Sequence, residues 1–292
     1  MYDIAALYQA KSVDDAVSLL EEHPAARIIA GGSDVLIEIR EGRLAGCNLV
    51  SIQRLDELRG VSLDGDGTIR IGALTSFSHI AADPVIQRHI PVLAEAVLTI
   101  GGPQLRNIGT IGGNVCNGVT SADSASTLLA WDAVMEYRGR EGTRLAPMAE
   151  HYVSAGKTAL RPAEILGAIL IPKASYENHF GCYIKYAMRE ALDIATLGCS
   201  ANVRLSPEGT VAALRIAYGV AGPVPLRAPL AEAAARGKPA TGETAAAVAR
   251  AALDEINPRT SWRAAREFRL QIAEELAKRT IAESIRRAGG SL

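Results

Sequence analysis

The chain has 292 residues, 31 Lys and Arg against 32 Asp and Glu, and 48% hydrophobic residues of which few are aromatic. The formal net charge of −1 excludes a basic field for nucleic acid or anionic lipid. The length suits about two domains, with cores built from Ala, Leu, Ile and Val. No apolar run approaches the ~18 residues of a membrane span. The first residues, Met-Tyr-Asp-Ile, show no charged region followed by an apolar one, so a cytoplasmic protein without membrane insertion is expected.

In chain order, residues 12–23 read as an amphipathic helix with a Ser12-Val13-Asp14-Asp15 cap and Ala16, Leu19 and Leu20 on one face. Arg27-Ile28-Ile29-Ala30 is a short buried strand running into Gly31-Gly32-Ser33-Asp34, and residues 34–40 are helical with Asp34 in the first turn. Residues 48–52 form the next strand. The result is a βαβ-like unit with a glycine loop at a strand's C-terminal end, where ligands of α/β layers commonly bind.

Residues 68–73 alternate as a strand, Thr75-Ser76-Phe77-Ser78 caps a helix, and Pro84 and Pro91 start further helices. The helix through Leu93, Ala96, Val97 and Ile100 stops at Gly101-Gly102-Pro103. A second glycine loop comes next, Gly109-Thr110-Ile111-Gly112-Gly113-Asn114. Residues 124–131 are helical, and 133–137 and 164–171 are strands. Past a boundary near Tyr176, residues 182–188, 197–205 and 211–220 form three strand-like runs, with a turn at Pro207-Glu208-Gly209. Residues 243–256 and 261–288 are helical, ending at Gly289-Gly290.

Both glycine loops offer consecutive N–H groups with little side-chain bulk, which suits a nucleotide diphosphate. Neither matches G-x-G-x-x-G or G-x-x-x-x-G-K-[ST], and glycine pairs equally mark turns and helix starts. Cys47, Cys116, Cys182 and Cys199 are dispersed without a C-x-x-C, and the five histidines without H-x-x-x-H, so no metal site is expected here. Asp123, alone, is also read as a cap of its own helix, and Lys185 as a solvated lysine on an alternating strand.

Together with the C-terminal meander and Arg263-Ala264-Ala265-Arg266-Glu267-Phe268-Arg269, several segments resemble the FAD-binding subunit of the molybdenum hydroxylases, of the xanthine dehydrogenase type. They are Ala30-Gly31-Gly32-Ser33-Asp34, Pro103-Gln104-Leu105-Arg106-Asn107, Thr110-Ile111-Gly112-Gly113-Asn114, Lys185-Tyr186-Ala187-Met188-Arg189 and Asp193-Ile194. The resemblance implies an α+β fold: an FAD-binding domain of the vanillyl-alcohol-oxidase (PCMH) type over 1–176, with subdomains at about 1–55 and 56–176. A C-terminal flavoprotein domain over 177–292 would hold a three-stranded antiparallel sheet plus helices.

Matched residue by residue, the resemblance implies that Arg27, Ile28, Ile29, Ala30, Gly31, Gly32, Ser33 and Asp34 wrap the FAD diphosphate. Thr110, Ile111, Gly112, Gly113 and Asn114 would form the opposing wall. Asp123 and Lys185 would contact the cofactor, with Ile100 and Leu166 packing near the flavin ring; some members have an aromatic where this chain has Ile100. Arg189 and Asp193 are gating candidates for the approach to the flavin.

The implied role is electron transfer from [2Fe-2S] clusters on a small partner subunit through FAD to NAD⁺. A large partner subunit would hold the molybdenum cofactor, in a dimer of heterotrimers, and this chain would not act on a purine alone. Alternatives are the flavin subunit of a related hydroxylase acting on carbon monoxide, nicotinate, another aromatic heterocycle or an aldehyde, and a flavin-free scaffold.

Overall fold

The structure is a computed structural model and describes residues 2–291. Strands β1 (Ile4–Gln9), β2 (Arg27–Ile29) and β3 (Cys47–Ser51), with helices α1 (Val13–Glu22) and α2 (Val35–Arg40), make the first unit. Its sheet is parallel throughout, ordered β1-β3-β2. The Ser12 hydroxyl accepts from the Asp15 N–H at 3.0 Å, and α1 buries Val13, Ala16, Val17 and Leu20. Strand β1 lies outside the sequence expectation. It is an edge strand whose outward positions include Ala5 and Leu7, so its sequence lacks the apolar and polar alternation that marks a half-buried strand.

The second unit holds β4 (Val61–Leu63), β5 (Ile69–Gly72), α3 (Phe77–Ala82), α4 (Pro84–His89), α5 (Pro91–Leu98), α6 (Pro103–Ile108), α7 (Ile111–Cys116) and α8 (Asp123–Ala130). It continues with β6 (Val134–Gly139), β7 (Gly142–Pro147), β8 (Tyr152–Ser154), β9 (Lys157–Thr158), β10 (Ile165–Ile171) and α9 (Lys173–Tyr176). Its five-stranded sheet, β4-β5-β10-β6-β7, is antiparallel at every pairing. The helices pack on that sheet through Ile80, Leu93, Val97, Leu128 and Trp131, all nearly inaccessible to water. Each such side chain supplies about 1.5–3 kcal/mol of burial.

The last unit comprises β11 (Phe180–Tyr186), β12 (Leu197–Leu205), β13 (Val211–Gly219), β14 (Leu226–Arg227), α10 (Pro229–Ala235), α11 (Gly242–Ala251) and α12 (Arg266–Arg287). The expected three-stranded sheet is corrected to four, ordered β11-β12-β13-β14, because Leu226 and Arg227 pair with Tyr218 and Ala217. Two residues are too short a run to show a periodicity. Helix α12 also begins later than expected: Ser261 and Ala264 pair with each other, and the Arg266 N–H donates to the Thr260 hydroxyl at 3.0 Å.

The last unit is seated firmly on the second. A Cβ on Gly181 would fall 1.9 Å from the Trp131 ring, so glycine there lets β11 lie against the end of α8. The Asn202 side chain donates to the carbonyls of Ala130 and Ser175, and Arg215 and Arg227 both pair with Asp132. No helix among the described residues is long and apolar enough to cross a membrane.

Candidate functional site

The two glycine segments meet. A Cβ on Gly31 would lie 2.0 Å from the Ile108 carbonyl oxygen and 3.3 Å from the Gly109 Cα, so only glycine permits this approach. Gly32 takes φ +77°, the left-handed region that glycine adopts at no steric cost. Among the described residues the N–H groups of residues 30–34 have no intramolecular acceptor. Five consecutive amides at the end of β2 are therefore free to receive an anion. Arg27 stands exposed at the start of that strand. The Asp34 carboxyl is held above its ordinary value by desolvation and by Glu38, while Asn117 opposes the shift.

The second segment behaves differently from the expected donor loop. Thr110 is the N-cap of α7, and Ile111, Gly112, Gly113 and Asn114 are its first turn. Their N–H groups donate to Thr75 O, Ala73 O, the Thr110 hydroxyl and Thr110 O respectively. Gly112 is required because a Cβ there would sit 2.6 Å from the Ala73 carbonyl oxygen. This segment thus supplies a rigid wall rather than amides. Below it, the fully buried His151 makes contacts of 3.2 Å to the Val115 carbonyl and 2.7 Å to the Tyr137 hydroxyl, and burial pushes its pKa down to about 4. The Asn114 side-chain oxygen accepts from the Ser124 hydroxyl at 2.7 Å, tying the wall to α8.

Asp123 is the first residue of α8 and makes no capping hydrogen bond. Its carboxylate instead accepts from Lys185 Nζ at 2.8 Å and the Tyr183 hydroxyl at 2.7 Å, with both charged side chains more than nine-tenths buried. Desolvation raises the Asp123 pKa, and Lys185 and Tyr183 oppose it. Burial, with the neighbouring carboxylate, holds the Tyr183 hydroxyl well above its ordinary value. Lys185 also donates to the Thr99 carbonyl at 3.1 Å. Arg106 donates to the carbonyls of Leu98, Ile100 and Gly101 at 3.0–3.2 Å. Two cations from different units therefore clamp all four carbonyls of residues 98–101, the turn that carries Ile100.

Ile100 and Leu166 both lie in the core of the second unit and are nearly buried. A β-bulge between Leu166 and Ala168 interrupts β10 here. The Gly167 carbonyl accepts from the Ala73 N–H, on whose backbone Gly112 is packed, a backbone adjustment of the kind that re-aims side chains next to sites.

Arg189 and Asp193 are brought together in the turn between β11 and β12. One Asp193 oxygen accepts from the Arg189 N–H at 3.0 Å and the other from the Ile194 N–H at 2.8 Å. Desolvation pushes the Asp193 carboxyl up, but the backbone bonds from Ile194 and Arg189 and the Arg189 charge together hold it below its ordinary value. The turn lays Leu192, itself at φ +54°, against Gly102.

The chain as a whole has counterparts among known proteins. Residues 2–174 match the FAD binding domain in molybdopterin dehydrogenase, and residues 182–284 match the CO dehydrogenase flavoprotein C-terminal domain. The chain belongs to the FAD-binding subunits of the molybdenum hydroxylases. It is 42% identical over 292 residues, 100% of each chain, to the xanthine dehydrogenase FAD-binding subunit of Escherichia coli O157:H7. It is 31% identical over 272 residues, 93% of each chain, to the carbon monoxide dehydrogenase medium chain of Hydrogenophaga pseudoflava. The solved carbon monoxide dehydrogenase from that organism superposes with a TM-score of 0.93 at 31% identity, covering 99% of both chains.

The FAD-binding domain and C-terminal flavoprotein domain of the family are thus both present, and the local chemistry fits the cofactor. The unpaired amides of residues 30–34 beside a glycine cradle suit a diphosphate, and the turn that carries the apolar Ile100 is held by the lysine of a buried ion pair. Sequence reasoning missed Tyr183, Arg106 and the Thr99 carbonyl. Period-two alternation places Tyr183 on the same face of β11 as Lys185, a signal present in the sequence. Arg106 lies in one of the segments that carry the resemblance, but nothing local assigns a role to it or to Thr99, because both roles depend on how α5 ends.

Proposed function

We propose that this chain is the FAD-holding electron-transfer subunit of a xanthine dehydrogenase-type hydroxylase that works in the cytoplasm. Its partners are a molybdenum-cofactor large subunit and a [2Fe-2S] small subunit, assembled as a dimer of heterotrimers with NAD⁺ as acceptor. The run of unpaired amides at residues 30–34, packed through Gly31 against Ile108 and Gly109, is the observation that supports this reading. Bound flavin supplies the exchange between one-electron donors and a two-electron hydride acceptor.

The chain's own residues bind and orient. The first glycine loop receives the diphosphate with N–H dipoles that are already fixed, so little entropy is lost on binding. Thr110 to Asn114 oppose it as a wall, Ile100 and Leu166 exclude water beside the ring, and Lys185 with Asp123 fixes the charge there. Arg189 and Asp193 hold the turn that carries Leu192 over Gly102, at the entry for the acceptor. Full-length identity of 42% to a xanthine dehydrogenase subunit favours xanthine over carbon monoxide as the partner's substrate.

The test is xanthine-dependent NAD⁺ reduction by the chain purified with its natural partners. Activity with another heterocycle but not xanthine overturns the substrate and keeps the electron-transfer role. A folded chain that neither retains nor regains FAD overturns the role itself and leaves a scaffold.

A further inference from the structure

Residues 257–269 carry positive charge that pairs with no carboxylate among the described residues. Arg269 is 2% exposed; one of its nitrogens donates to the Ser261 hydroxyl at 2.8 Å, while Nε and Nη1 are buried without a partner. Arg263 Nε is likewise buried and unpartnered. Arg259 and Arg263 both repel the Arg269 charge. Glu267 is the single carboxylate of the stretch, and it is exposed and pairs with none of these arginines among the described residues. A guanidinium removed from water without a counter-charge costs several kcal/mol. Such a cluster points to an anion absent from the free chain.

A second observation narrows the ligand. Trp262 is 78% exposed, and the Arg263 guanidinium lies 4.2 Å from its ring centroid. An exposed indole backed by arginine is a platform on which a nucleobase stacks. The cluster also sits at the start of the 22-residue helix α12, where Ala265 at the N-cap offers no side-chain acceptor and only the first N–H is taken, by the Thr260 hydroxyl, so the helix dipole adds to the attraction for an anion. Its surroundings lead back to the flavin wall. Phe268 packs edge-on against Tyr186, the neighbour of Lys185, with ring centroids 5.8 Å apart. The Asn257 N–H donates to the Ala221 carbonyl, and the Val220 N–H to the carbonyl of Thr120, three residues before Asp123.

We infer that residues 259–269 form a binding site for the adenosine diphosphate portion of a dinucleotide, with Trp262 as the platform for the base and Arg259, Arg263 and Arg269 as the clamp for the diphosphate. The inference rests on the proposed dinucleotide acceptor. It assigns that acceptor an anchor outside the loops that hold FAD.

The experiment measures ADP binding by calorimetry to the assembled complex with FAD loaded, so that ADP has no access to the flavin cleft. Arg263→Ala and Arg269→Leu weaken ADP at least about tenfold, the effect of losing a charge-assisted hydrogen bond. Trp262→Ala weakens it about fivefold or more. Arg269→Leu leaves the thermal midpoint of the ligand-free chain unchanged or raises it, whereas an arginine with a purely structural role lowers it when replaced. Absence of ADP binding, or binding indifferent to Arg263→Ala and Trp262→Ala, overturns the site. Inorganic phosphate binding as tightly as ADP and ignoring Trp262→Ala shows an oxyanion site only and overturns the nucleotide. NAD⁺ reduction with an unchanged KM in Arg263→Ala overturns the site and keeps the acceptor. ADP binding with these sensitivities in a complex that does not reduce NAD⁺ keeps the site and overturns the acceptor.

Discussion

The glycine pairs at residues 31–32 and 112–113 look alike as sequence and do opposite work in the fold. Both contain a glycine pressed against foreign backbone, Gly31 on Ile108 and Gly112 on Ala73. Around Gly31 the chain keeps its N–H groups unpaired across residues 30–34; after Thr110 the chain turns into α7 and every N–H from Ile111 to Asn114 is spent internally. The difference comes from how each neighbouring helix starts. A left-handed Gly32 postpones helix α2 until Val35, whereas the Thr110 hydroxyl caps α7 at once. One glycine pair leaves its N–H donors unpaired, and the other spends them on a closed helix start.

The strongest way to break this comparison is Gly31→Val. With a Cβ 2.0 Å from a carbonyl oxygen, the first loop must move away from residues 108–109, which removes the cradle as well as aiming the amides elsewhere. Loss of bound FAD is expected, read as the ratio of flavin to protein absorbance after purification, with the fold intact by circular dichroism. Retention at the wild-type ratio sinks the first loop as the diphosphate site.

Lys185→Met ranks next. It leaves the Asp123 carboxylate buried with only Tyr183 as partner, and removing one member of a buried pair costs about 3–5 kcal/mol. Tyr183→Phe deletes a single hydrogen bond to a charged group and costs about 1.5–3 kcal/mol. Denaturant unfolding of the two variants ranks them. A Lys185→Met loss below that of Tyr183→Phe shows that water already screens the ion pair.

Local signals made much of this legible. The Ser12 and Ser76 caps, the prolines opening α4 and α5, and the strand that leads into Gly31 arise from residue chemistry a few positions apart. The site was legible as a set of segments but not as an arrangement. Asp123 reads as a helix cap until β11, some sixty residues later, delivers Lys185 and Tyr183 to it. Likewise Gly112 and Gly113 offer their amides in sequence, and only the docking of α7 on Ala73 and Thr75 shows those amides occupied. Non-local hydrogen bonds decide both cases, and no periodicity encodes them.

The wall formed by α7 has its own vulnerability, acid. His151 is buried neutral beneath it with its pKa lowered from 6.5 to about 4, so between these values the unfolded chain binds a proton that the folded chain refuses. Its contribution is present above pH 6.5 and is lost as pH falls through the window, about 3 kcal/mol in all. Asp123, held above its ordinary value, works in the opposite sense toward the acid end, because the folded state protonates it first. Comparing wild type with His151→Gln isolates the histidine: the wild type loses stability more steeply from pH 6.5 to 4. Parallel profiles remove His151 as the acid-sensitive prop.

The smallest expected effect sharpens the comparison most. A Cβ at Gly113 meets only the Thr110 hydroxyl oxygen, at 3.0 Å. Alanine there gains about 1 kcal/mol of helix propensity and disturbs a cap worth about 1 kcal/mol, so stability barely changes. Flavin content should also stay near wild type, because the Gly113 N–H already donates to Thr110 and has nothing further to offer. If Gly113→Ala sheds FAD as Gly31→Val does, the α-carbon of Gly113 itself must touch the cofactor. The second segment would then owe its glycine to the ligand rather than to the helix, and the two loops would be two halves of one cradle.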